Sequence, residues 1–255
     1  MQEKLKAFER LLNIMDELRE KCPWDKKQTM ESLRHLTIEE TYELTDAILS
    51  GNMQEIKKEL GDVLLHIVFY ARIASETKSF DVADVMNALC DKLISRHPHI
   101  YGDVQVKDDE EVKQNWEKLK LKEGNKSVLG GVPASLPSII KALRIQDKAA
   151  QVGFDWPEVQ QVWDKLDEEM LELKEETAKE QNKVKIEDEF GDLMFAMINL
   201  ARHLDINPDD ALERTNLKFI HRFKYIEQSA ENQNKKITDF SLEEMEKYWQ
   251  QAKGK

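Results

Sequence analysis

Cysteine, proline, glycine, aromatic residues and positive charge are all in short supply in this 255-residue chain. Its two cysteines, Cys22 and Cys90, cannot build a disulfide framework and lack metal-site spacing, so a reducing cytoplasm is the expected home. Six prolines, nine glycines and 7% aromatics leave few chain breakers and favour helices over a β-sandwich or barrel. No apolar run reaches the ~18 residues needed to cross a bilayer. The opening MQEKLKAFERLL lacks the apolar centre of a secretion signal, so no membrane is expected among the partners. Lys and Arg number 38 against 50 Asp and Glu, a net charge of −12. Binding to a phosphate backbone depends on Lys and Arg displacing counterions, so no nucleic-acid partner is expected. Single nucleotides held through metal ions remain compatible, because the ions would supply the missing positive charge.

What the chain has in abundance is helical periodicity. The pattern predicts helices over roughly 3–20, 29–50, 53–77, 81–96, 109–121, 137–151, 157–180, 184–204, 208–230 and 241–252, with no sustained two-residue alternation. Asp81 and Ser241 read as N-caps, the latter with Glu244 completing a capping box, and Pro208 suits a first helical turn. Glycine, serine and proline cluster in GNKSVLGGVPASLPS, 124–138, which reads as a linker.

The two sides of that linker repeat one another. IEETYEL (38–44) matches DEEMLEL (167–173), ELGDVLL (59–65) matches EFGDLMF (189–195), KLISR (92–96) matches KFIHR (218–222), and EVKQNWEKLK (111–120) matches EMEKYWQQAK (244–253). Four matches in one order imply a duplication. The expected fold is all-α, two tandem four-helix-bundle units: an N-terminal domain over 1–121, a linker over 122–138 and a C-terminal domain over 139–255.

At about 100° per residue, Glu168 and Glu172 lie about 40° apart, and Lys185, Glu189 and Asp192 share a sector of about 60°. A short connection at 178–184 makes the two helices antiparallel neighbours, so their acidic faces can meet. Glu39, Glu40, Glu43, Glu59 and Asp62 repeat the arrangement. Facing carboxylates repel by about 4 kcal/mol per pair at 4 Å and an effective dielectric near 20. A hard divalent cation, Mg²⁺ or Mn²⁺, turns that repulsion into binding. A lone ExxE usually marks a solvated face; the repeated pairing of EExxE with ExxD is far more specific. Gly61 and Gly191, inside these helices, are expected to permit close helix or ligand approach. His66 and the pair His97 and His99 read as structural. With no GxxxxGK[ST] loop and no nucleophile–histidine pair, phosphates must be held by metal and side chains, and water is the nucleophile.

EExxE followed by ExxD, with CPWD at 22–25, HPH at 97–99, VGFDW at 152–156 and NLARHL at 199–204, resembles the MazG nucleoside triphosphate pyrophosphohydrolases over essentially the whole chain. The resemblance implies Mg²⁺-dependent hydrolysis of ribo- and deoxyribonucleoside triphosphates to monophosphate and pyrophosphate, nucleotide-pool house-cleaning, and a homodimer. Carried over, it makes Glu169, Glu172, Glu189 and Asp192 metal ligands, with Glu168 or Glu169 accepting the water proton. Lys165, Glu168, Lys185, Asp188, Asn216, Lys218, Arg222 and Trp249 would contact substrate, Trp249 as a stacking surface for the base. Glu40, Glu43, Glu59 and Asp62 would form a second metal site. The second unit is expected to carry most of the activity, because Lys185 and Asn216 are replaced by Glu55 and Cys90 in the first. The alternatives are a narrower dUTPase-like or phosphoribosyl-ATP pyrophosphohydrolase, and a non-enzymatic metal-binding scaffold.

Overall fold

The computed structural model describes residues 1–108, 111–112, 115–116, 127–179 and 182–253. Among them every regular element is helical, and the chain divides into two compact units, Met1–Val112 and Lys113–Lys255. The helix expected over 109–121 and the first part of the expected linker fall largely outside the described residues.

The first unit comprises α1 (Gln2–Lys21), a 3₁₀ turn (Asp25–Lys27), α2 (Met30–Ser50), α3 (Met53–Glu76), α4 (Val82–Arg96) and a short α5 (Pro98–Tyr101). In α2 the Thr29 and Ser32 side chains cap each other's backbone N–H groups, and the helix ends on Gly51 at φ 68°, a left-handed conformation glycine adopts without strain. Asn52 immediately caps α3 by accepting from the backbone N–H groups of Gln54 and Glu55. This two-residue connection folds α3 back along α2. Thr37 lies against His66 and Tyr70 while Glu43 lies against Glu59, so positions advance on one helix as they recede on the other, as antiparallel packing requires. Met15 on α1 joins Leu33, Val68 and Phe69 in the core, so α1 packs against the α2–α3 hairpin. Asp81 and Ser241 are N-caps as the sequence predicts, Ser241 in the expected capping box with Glu244, and Asp81 also exchanges caps with Asp84. Pro98 opens α5, where a first-turn proline has no intrahelical N–H to lose.

The second unit repeats the hairpin. A 3₁₀ turn (Val128–Gly131) precedes α6 (Ser138–Gln151), α7 (Val159–Ala178) and α8 (Lys183–His203). There follow α9 (Pro208–Glu231), a 3₁₀ turn (Ile237–Asp239) and α10 (Leu242–Ala252). Here α7 and α8 form the paired helices, α6 packs on α8, and α9 packs mainly on α10 around Ile226, Ala230 and Phe240.

For Gly61 and Gly191, the expectation of close helix approach needs correction. A Cβ built at either glycine meets no atom within 4 Å. Both residues lie on the exposed side of their helices, so packing within the chain does not require them. Gly61→Ala and Gly191→Ala should therefore each stabilise the protein by about 1 kcal/mol through helix propensity. Chemical denaturation checks this: a loss of stability would mean that something outside the chain's own described contacts uses the open space.

Candidate active site

The α7–α8 hairpin gathers its acids at one level. Carboxylate oxygens of Glu169, Glu172 and Glu189 lie within 4.8 Å of one another. Glu169 is 6% exposed, about two turns beyond the fully buried Val162, whereas Glu172 faces solvent. Lys165, one turn earlier on α7, reaches both Glu169 at 2.8 Å and Glu168 at 2.9 Å. Those two carboxylates hold its ammonium well above the usual lysine range. Asp192, one turn after Glu189, lines a cavity of about 90 Å³ with Lys165, Glu169, Trp156 and Asn199.

Desolvation raises the Glu189 carboxyl above the ordinary carboxylate range, and the charges of Glu172, Asp192, Glu169 and Glu176 add to the effect. Lys185 is exposed, and its charge helps to lower Glu176 after the larger contribution of the Lys179 hydrogen bond. Asp188 is exposed beside Glu189.

The first unit builds a related cluster with its charges distributed differently. Oxygens of Glu40, Glu43 and Glu59 also lie within 4.8 Å of one another. The buried member is now Glu59, on the second helix of the pair. Its Oε1 accepts from Lys58 at 2.9 Å, and its Oε2 is buried with no hydrogen-bond partner. Leu36 stands where the second unit has Lys165. Glu40 is raised by desolvation first and then by Asp62, Glu43, Glu59 and Glu39. His66 is buried, hydrogen-bonded to Thr37 at 2.8 Å, and lowered by burial against the opposing charge of Asp62; it is a neutral core residue.

Converging carboxylates in both units, joined in the first by the orphaned Glu59 Oε2, are a donor set that fits a hard divalent cation. Glu169, Glu172, Glu189 and Asp192 are the residues that would hold it in the second unit.

The remaining substrate candidates form a separate group. Arg222 lies over the Trp249 ring at 5.3 Å, Phe219 packs against the same indole at 5.0 Å, and Asn216 donates to Glu213 at 3.0 Å. Lys218 is exposed. Among the described residues, no hydrogen bond or ion pair joins these four to the acidic cluster.

Sequence reasoning gave no role to the residues that wall the cluster. VGFDW and NLARHL meet in space: Arg202 grips Asp155 in a two-pronged ion pair, with one bond at 2.8 Å, and His203 adds a contact at 3.1 Å. That clamp sets Trp156 beside Asn199 at the cavity wall. Both motifs were visible in the chain, but their meeting depends on how α8 passes the segment before α7.

The MazG nucleotide pyrophosphohydrolase domain family matches residues 28–101 and 158–226, one stretch in each unit. The nucleoside triphosphate pyrophosphohydrolase/pyrophosphatase MazG of Thermotoga maritima is 44% identical over 252 residues, covering 97% of this chain and 96% of that protein. This chain belongs to the MazG family. The nucleoside triphosphate pyrophosphohydrolase of Escherichia coli strain K12 is 40% identical over 260 residues, covering 98% of each. A crystal structure of a mazG-related protein from Thermotoga maritima aligns with 44% of this chain and 98% of its own, at 26% identity and a TM-score of 0.40. Membership makes the chain an enzyme that hydrolyses acid anhydrides. No described helix is long and apolar enough to cross a membrane.

The raised carboxyls fix the sign of a pH effect. Glu40 and Glu189 bind protons more tightly folded than unfolded, so between the unfolded and folded values the native state carries the extra proton. Their contribution to stability therefore falls as pH rises through that window. In chelator, this contribution should lower the melting temperature from pH 5 to 7.5, and Mg²⁺ should restore more at pH 7.5 than at pH 5. An equal effect of Mg²⁺ at both values would contradict binding at these acids.

Proposed function

We propose that the chain hydrolyses nucleoside triphosphates, both ribo- and deoxyribo-, to the monophosphate and pyrophosphate, with Mg²⁺ and with Mn²⁺ as a substitute. The observation that carries this reading is the convergence of Glu169, Glu172 and Glu189 beside Lys165, within the stretch of α7 and α8 that the family shares. The names of the relatives from Thermotoga maritima and Escherichia coli support the substrate class. Clearing the nucleotide pool is the corresponding cellular role.

Bound at Glu169, Glu172, Glu189 and Asp192, divalent cations would neutralise triphosphate charge and make an attacking water more acidic. The protein's own groups divide the rest. Lys165 holds Glu168 and Glu169 together and supplies a fixed cation on the cavity wall for a phosphate oxygen. Glu168, the more exposed partner of Lys165, accepts the proton of the water that attacks the α-phosphorus. Lys185, exposed one turn before Glu189, is placed to meet incoming anionic substrate.

The second unit carries the turnover in this reading. Glu55 occupies the place of Lys185 in the first, which reverses the charge met by a phosphate, and Leu36 removes the Lys165 cation. A panel of nucleoside triphosphates with Mg²⁺, read out as pyrophosphate, tests the activity. Glu172→Gln should lower kcat by at least about 100-fold, the upper range for disturbing metal-site partners. Glu43→Gln under the same conditions should cost far less. The reverse order would move the activity to the first unit, and no pyrophosphate from any nucleotide would leave a non-enzymatic scaffold.

We infer further that two copies pair. On α9, Leu212, Phe219 and Phe223 fall on one face and remain 48%, 56% and 37% exposed, an apolar stripe of the kind that marks an interface. Light scattering should give twice the 29.8 kDa chain mass; a monomer at micromolar concentration contradicts pairing.

A further inference from the structure

Each unit carries an arginine at the same place on the second helix of its hairpin. The repeated glycines register α8 on α3 so that Arg202 corresponds to Arg72 and Asn199 to Phe69, and Ile145-Gln146-Asp147 on α6 corresponds to Ile14-Met15-Asp16 on α1. In the first unit Arg72 pairs with Asp16 and Glu76, and Phe69 is hydrocarbon core with Met15, Leu33 and Val68. The segment ahead of α2 is tied down there by Arg19, which donates to the Asp25 and Gln28 carbonyls. Ala150 stands in the place of Arg19 in the second unit, where Arg202 ties the segment ahead of α7 through Asp155 instead.

Arg202 does one thing that neither Arg19 nor Arg72 does. Its Nε at 3.1 Å and its Nη2 at 2.8 Å both donate to Asn199 Oδ1. Two donors on one oxygen fix which end of the amide is which, so Nδ2 is turned away from the guanidinium. Among the described residues nothing accepts from Nδ2. Nor is it sealed: the buried side-chain atoms there without a partner are Glu59 Oε2 and Gln146 Oε1.

Asn199 is 7% exposed and lines two cavities, the one of about 90 Å³ with Lys165, Glu169 and Asp192 and a larger one of about 480 Å³ that shares Trp156 and Phe195 with it. Seven residues after Asp192 and about 20° from it in helical phase, Asn199 lies on the same face of α8 as that acid. The surface left to Nδ2 is therefore cavity surface. Ionised Glu169 and Asp192 can only accept hydrogen bonds, and Lys165 is already tied to Glu168 and Glu169. Asn199 Nδ2 is an uncharged donor on the same wall with no acid of the cluster to hold it.

We propose that Arg202, locked by Asp155, is a positioning residue of the active site: it fixes the Asn199 amide so that Nδ2 donates to an oxygen of the substrate bound beside Lys165. The assignment rests on the nucleoside triphosphate reading above. A donor set in place before the substrate arrives needs no reorientation during the reaction, which is what makes such dipoles effective. The first unit has Phe69 at this place, and Arg72 has no amide there to orient.

The test uses the full chain with ATP and Mg²⁺, pyrophosphate as readout, and circular dichroism melts without substrate. Asn199→Ala removes the donor. Asn199→Asp keeps an oxygen for Arg202 and turns the donor into an acceptor. Arg202→Lys keeps a charge for Asp155 and loses the planar fork that holds the amide. Both Asn199 variants should lower kcat/KM at least roughly tenfold, the factor for one hydrogen bond, while Asn199→Asp melts within a few degrees of wild type. Arg202→Lys should cost about as much, and little more when combined with Asn199→Ala, because both changes remove the same donor. Wild-type kcat/KM in both Asn199 variants, or a loss that appears only where the melting temperature also falls, overturns the donor. Additive losses in the double variant overturn the positioning role, and Asn199→Asp decides the donor alone should Arg202→Lys unfold. Hydrolysis-resistant α,β-methylene-ATP separates this inference from the hydrolase reading. Its binding weakened in Asn199→Ala, with no pyrophosphate released by wild type, would uphold the donor and overturn the hydrolase. Pyrophosphate release unaltered by either Asn199 variant would do the opposite.

Discussion

Repulsion among carboxylates is the constraint around which each unit is arranged. Three glutamates at one level of a helical hairpin oppose its closure, and desolvation makes the opposition stronger as Glu59 or Glu169 is buried. The hairpin nevertheless closes, because apolar residues about one to three turns away on both helices are buried by the same motion. Leu33 and Val68 do this in the first unit, and Val162, Leu193 and Ala196 in the second. Each unit also brings one lysine to the buried acid. The cluster is thus held in a condition that a hard cation would relieve, the property needed to gather metal and triphosphate at one point.

The lysine and its buried acid share the second helix of the hairpin in the first unit and the first helix in the second. Lys58 approaches Glu59 from within α3, whereas Lys165 approaches Glu169 from α7 and also holds Glu168. Lys58 is adjacent in sequence to the acid it neutralises and is largely exposed, so solvent screens much of its effect. Lys165 lines a cavity and is shared by two acids. Identical ExxE and ExxD patterns therefore carry different electrostatics.

Much of this architecture was legible in the chain. Helix spans followed from apolar periodicity, and the caps at Asp81 and Ser241 followed from local chemistry that needs no tertiary partner. The convergence of Glu169, Glu172 and Glu189 was legible because helix geometry and a short connection determine it. What surrounds the acids was not legible. Gln146 sits in an amphipathic helix at a position indistinguishable by periodicity from a core residue, and its meaning depends on Phe195, 49 residues away. Trp156 and Asn199 belonged to motifs that were noticed without a role, since only the Arg202–Asp155 clamp brings them together. Periodicity also could not tell whether Gly191 was crowded or open.

Duplication sharpens the comparison, because the first unit shows the same hairpin built over a hydrocarbon core. Met15 and Phe69 fill the space beneath the hairpin with well-packed hydrocarbon, the arrangement that favours stability. Gln146 and Asn199 give up that packing, and Gln146 leaves an amide oxygen unpaired, at a cost of about 1–3 kcal/mol for a buried unsatisfied group. Stability alone does not account for two such changes at contacting elements of one unit and neither in the other. They fall in the same unit as Lys165 and Lys185. Charge and packing, two independent features, thus set the two hairpins apart, with Lys165 shared by two acids in the second and a hydrocarbon core beneath the first.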